Sequence, residues 1–61
     1  MLNKKYLEQK LNFINENIEI YKRNAIETIE KEEMIPATSY LLILRDLKEQ
    51  QILINELLKG E

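Results

Sequence analysis

LEQKLNFINENIEIYKRNA, running from Leu7 to Ala25, is the stretch that decides how this chain folds. Its apolar residues Leu7, Leu11, Ile14, Ile18, Tyr21 and Ala25 recur at alternating intervals of four and three. That is the heptad spacing of a helix packed lengthwise along another helix. Strict alternation of apolar and polar residues never persists, which excludes a strand. Beside the stripe, Tyr6, Phe13 and Ile20 repeat every seven residues, set off from it by Asn3, Lys10, Asn17 and Asn24. These three widen the apolar arc past what a two-stranded seam needs. Core packing is the plain reading of the aromatic residues, since no polar constellation accompanies them to form a ligand site.

Working outward, the chain from Leu2 to Glu33 holds no Gly or Pro, so the pattern predicts one helix over about residues 2–33. Asn3 is its candidate cap. Lys4 and Lys5 then sit in the first turn against the helix dipole, at a cost of about 0.3 to 1 kcal/mol when exposed. Ile35-Pro36-Ala37-Thr38-Ser39 is the one break. Proline lacks the amide hydrogen and clashes with the carbonyl four residues back, and it pushes the residue before it toward extended geometry. A turn is therefore expected over about residues 34–38, with Thr38 or Ser39 capping a second helix. Glu30, Glu32 and Glu33 suit the positive end of that second helix better than the end of the first.

The second helix is expected over about residues 39–59, with Tyr40, Ile43, Leu44, Leu47, Ile54 and Leu58 on its main stripe and Gly60 as its stop. Gln51 falls in that stripe, where a polar side chain either fixes register or oligomeric state or stands at the rim with its amide solvated. At about 100° per residue, Leu42, Leu53 and Leu57 extend the arc to one side, while Leu41 and Ile52 lie almost opposite the stripe. One neighbouring helix does not cover so much apolar surface. The expected fold is accordingly all-α: a two-helix antiparallel hairpin, dimerising into a four-helix bundle. Its expected core is Leu7, Leu11, Ile14, Ile18, Tyr21, Ala25, Tyr40, Ile43, Leu44, Leu47, Gln51, Ile54 and Leu58.

Composition narrows the classes of function. The chain has 61 residues, and a fold of this size buries only about 60% of its unfolded surface, so it needs a staple. With no Cys and no His, neither disulfides nor structural zinc supplies one, and oligomerisation is left. The same absences remove the commonest catalytic groups. Thr38-Ser39 reads as a cap, the carboxylates fall mostly on polar faces, and there is no phosphate loop or calcium loop. No enzyme, cofactor or metal site is expected.

Met1 to Lys10 lacks the apolar region of a signal peptide, and the longest apolar run, Tyr40 to Leu44, is far short of the ~20 residues that span a bilayer. A cytoplasmic protein is expected, with no membrane partner. Ten Leu, nine Ile, seven Lys and six Asn hint at an AT-rich source, such as a low-GC bacterium or its phages.

The net charge of −2 is unevenly spread. Residues 1–23 hold five cations against three Glu, an excess of +2, whereas residues 24–35 hold four Glu against one Lys, an excess of −3. Lys22 and Arg23 are the candidate nucleic-acid contacts. They form no stripe with Lys4 and Lys5, which lie ~27 Å away along the helix, and Glu8, Glu16 and Glu19 intervene. A nucleic-acid-binding regulator is thus the second reading, and a structural subunit of a larger helical assembly the third. The leading one is a homodimeric, non-enzymatic module, a regulator or inhibitor that binds a partner protein. Exposed apolar residues away from the stripes mark its candidate partner surface: Ile26, Leu41 and Ile52.

Overall fold

A computed structural model describes residues 3–60. Two α-helices of equal length, α1 (Lys4–Glu30) and α2 (Met34–Gly60), pack against each other as a hairpin, giving a rod of 46 × 14 × 12 Å.

Asn3 caps α1 as its side chain suggests: it holds extended backbone angles and its side-chain oxygen accepts a hydrogen bond from the Tyr6 N–H at 3.1 Å. The helix ends three residues earlier than the absence of Gly and Pro implied. Its end is set by backbone geometry at Glu32, which sits at φ 60°. The Glu32 N–H donates to the Ile29 carbonyl at 3.0 Å and the Glu33 N–H to the Thr28 carbonyl at 2.9 Å. These are the paired bonds of a Schellman motif, here built with Glu in the left-handed position that Gly usually takes. The connection is therefore residues 31–33, not 34–38.

Pro36 does not break the chain. It occupies the third position of α2, where the missing amide hydrogen is one that an α-helix leaves without an internal partner in any case. The first backbone bond of the ladder, from the Ala37 N–H to the Glu33 carbonyl at 3.1 Å, lies just beyond it. Thr38 and Ser39 consequently fall inside α2 and cap nothing. The Thr38 hydroxyl instead donates back to the Met34 carbonyl at 2.8 Å. At the far end Gly60 is still helical and adopts no positive φ, so it is not the left-handed stop that its position suggested.

The early start of α2 adds a turn to the seam. Ala37, Tyr40, Leu44, Leu47, Gln51, Ile54 and Leu58 run at intervals of three and four, and every one of them is buried or half-buried. They face Leu7, Leu11, Ile14, Ile18, Tyr21, Ala25 and Thr28 of α1, likewise buried or half-buried. Leu7, Ile14, Ile18 and Ile54 form the core cluster, with Leu11, Leu44, Leu47, Leu57 and Leu58 packed around it. Toward the turn, Ala25 and Ala37 are small and enclosed, Ala37 at 0% exposure. Beside them the rings of Tyr21 and Tyr40 meet at a centroid distance of 6.0 Å.

Candidate functional site

The expected core residues sort into two groups. All but Ile43 bury wholly or partly within a single hairpin. Ile43 also stands three residues from Tyr40 and four from Leu47, but it lies on the flank of the seam beside Leu44 and remains 37% exposed. Gln51 does sit in the seam. Its Nε2 donates to Asn15 Oδ1 at 2.7 Å, joining the two helices through a residue just outside the heptad stripe, where apolar periodicity carries no signal.

Much apolar surface stays outside. Tyr6, Phe13, Ile20, Ile26, Ile29, Met34, Ile35, Leu41, Leu42, Ile43, Ile52 and Leu53 are all exposed. Their positions follow from helix geometry. At about 100° per residue on two antiparallel helices, the buried seam defines a plane; Ile35 and Leu42 point outward from the back of α2, Ile29 falls on the same side as Ile26, and the other exposed residues divide to the two sides. One side carries Tyr6, Phe13 and Ile20 of α1 with Ile43, Leu53 and the half-buried Leu57 of α2. The other carries Ile26 of α1 with Met34, Leu41 and Ile52 of α2, and the Asn15–Gln51 bond lies on that side.

The three candidate partner-surface residues are therefore exposed and share a side, but they are not one cluster. Ile26 and Leu41 stand together with Met34 near the turn. Ile52 is eleven residues past Leu41, about 16 Å further along α2. Met34 was missed because its position depends on where α2 begins.

Lys22 and Arg23 line a shallow surface depression together with Glu19 and Ile26. All four come from α1, and the carboxylate of Glu19 stands between the two cations and the rest of the basic end. Two local ion pairs stand elsewhere on the surface, Lys31 with Glu27 at 3.0 Å and Arg45 with Asp46 at 3.5 Å. The hydrogen bond to Glu27, and then the attraction of its charge, raises the Lys31 pKa above the ordinary lysine value. Both side chains are exposed, so the pair dresses the last turn of α1 and creates no reactive group.

Among the described residues no group of three or more Asp and Glu is gathered to hold a metal ion, and no helix is long and apolar enough to cross a membrane. Comparison with family models, with curated proteins and with solved structures finds no match.

Proposed function

We propose that this chain is a non-enzymatic interaction module of the cytoplasm: a homodimer of hairpins, forming a four-helix bundle, that regulates or inhibits a partner protein by binding it. The observation that carries the reading is the apolar surface on both sides of the seam, with Phe13 at 59% and Ile52 at 58% exposure. Exposed apolar surface of this extent on a small protein marks association sites. Two sides allow two associations, one between copies and one with a partner.

The side bearing Ile26, Met34 and Leu41 suits the partner. Lys22, Arg45, Lys48 and Lys59 are spread along that side, Arg45 paired with Asp46 and Lys59 at the far end of α2, while residues 24–35 carry an excess of −3 at the turn, so the complementary surface is apolar with a rim of mixed charge.

The experiment is affinity capture from a lysate of the native host, using tagged wild type and Leu41→Glu, with and without nuclease. The reading predicts a protein retained in near-stoichiometric amount, insensitive to nuclease and lost with Leu41→Glu. Retention that disappears with nuclease contradicts it and moves attention to Lys22 and Arg23. Retention unchanged by Leu41→Glu removes this side as the partner surface.

A further inference from the structure

We infer that the side formed by Tyr6, Phe13, Ile20, Ile43, Leu53 and Leu57 is covered by a second copy of the chain lying antiparallel to the first, with the two turns at opposite ends of the bundle and Phe13 and Gln50 at the two-fold axis. The inference rests on the homodimer proposed above and names its interface and orientation.

Three observations carry it. The first is amount. Five of these side chains are exposed, Tyr6, Phe13 and Leu53 by more than half, and an aromatic side chain buries about 150 to 250 Å² in all, of which somewhat over half is open at Tyr6 and Phe13. The face thus supplies on the order of 500 Å² of apolar surface per copy, or about 1,000 Å² between two, which meets the lower bound for a specific interface before its polar rim is counted.

The second is symmetry. An interface between identical copies about a two-fold axis uses the same patch twice, so the patch must match itself when reversed. Tyr6, Phe13 and Ile20 are spaced by sevens on α1, and so are Ile43, Gln50 and Leu57 on α2. Asn15 lies opposite Gln51 and Tyr21 opposite Tyr40, which puts Phe13 and Gln50 at nearly the same height. Both rows are therefore centred on one level of the hairpin, and one axis through that level reverses each onto itself. With the turns apart, Phe13 meets its own counterpart at the ring edge that the Lys10 ammonium, 5.9 Å from the ring centroid, leaves open, Gln50 meets its counterpart amide, Tyr6 meets Ile20 and Ile43 meets Leu57, with Lys10, Asn17 and Asn24 as the polar row of the same face. With the turns together, each Phe13 ring lies instead on a Gln50 amide, an apolar-on-polar contact that the turns-apart arrangement replaces with ring on ring and amide on amide.

The third is charge. Residues 24–35 carry an excess of −3 at the turn end. Turns together place two such groups side by side, while turns apart remove them beyond the ~8 Å screening length at physiological salt.

The test is pulsed dipolar spectroscopy on Lys31→Cys carrying a nitroxide label. Lys31 is eighteen residues from Phe13, about 27 Å along the helix, so labels on two copies are expected about 50 to 55 Å apart. A main distance below about 25 Å overturns the orientation and leaves the homodimer standing. No coupling between copies, together with the mass of a single chain, overturns both. The face is tested in the same labelled background. Phe13→Glu is expected to abolish the coupling and Ile52→Glu to leave it, and the reverse pattern overturns the assignment of the face.

Discussion

At the scale of single residues, Glu32 is the position where the chain works against its own covalent chemistry. Its φ of 60° is open to Gly at no steric cost but strained for a residue with a Cβ. Two backbone bonds of the Schellman motif depend on that conformation, so the hairpin holds it. Glu32→Gly is expected to raise stability by about 1 kcal/mol, read from urea unfolding followed by circular dichroism. A loss of stability contradicts the left-handed assignment at that residue. Ala37 shows a different constraint: at 0% exposure, beside Ala25, it lets the helices approach near the turn, where a longer side chain has no room without pushing them apart. Asn15 and Gln51 join the two helices at mid-length through a 2.7 Å bond that is open to solvent at Asn15, so water takes the place of either partner when it breaks and the bond contributes modestly to the register.

Between elements, what matters is which face of each helix the other one covers. Ile52 lies almost opposite the main stripe of α2, and within one hairpin it remains 58% exposed. Ile52→Glu is therefore expected to change the stability of the hairpin by less than about 0.5 kcal/mol. A loss above ~2 kcal/mol, as for a charge forced into a core, shows that Ile52 is covered in the folded protein. Two helices, their antiparallel course and most of the seam were legible in the sequence, because heptad spacing fixes the angle at which side chains leave a helix. The start of α2 was not. Ala37 continues the spacing of three and four back from Tyr40, but Pro36 obscured it, since a proline reads as a break unless it is recognised as lying in a first turn. The end of α1 was hidden for the opposite reason: no Gly stands where the left-handed residue falls. Ile43 was assigned to the seam because it lies near the stripe in angle, and angle alone does not tell a seam residue from its flank.

For the whole molecule, the same limit explains why the partner surface was only partly legible. Periodicity shows that Ile26, Leu41 and Ile52 point away from the seam, but their separation into a cluster near the turn and a lone residue depends on the true length of α2. The equal lengths of α1 and α2 have a consequence for stability. Among the described residues neither helix overhangs the other, and the core of the hairpin is a single line of contacts along the seam. The exposed rows on either side are what a second layer of helices encloses, and a chain this short gains most from such a layer. Association and stability are then coupled, with unfolding midpoints that rise with protein concentration.

Multi-angle light scattering on the purified chain at micromolar concentration, with helicity checked by circular dichroism, is the most direct measurement of this coupling. The account predicts a helical species of twice the 7.3 kDa of one chain, dissociating only on dilution or with Phe13→Glu. A species of 7.3 kDa that is fully helical and unfolds cooperatively would contradict it, because a lone hairpin would then be stable with both apolar sides in water.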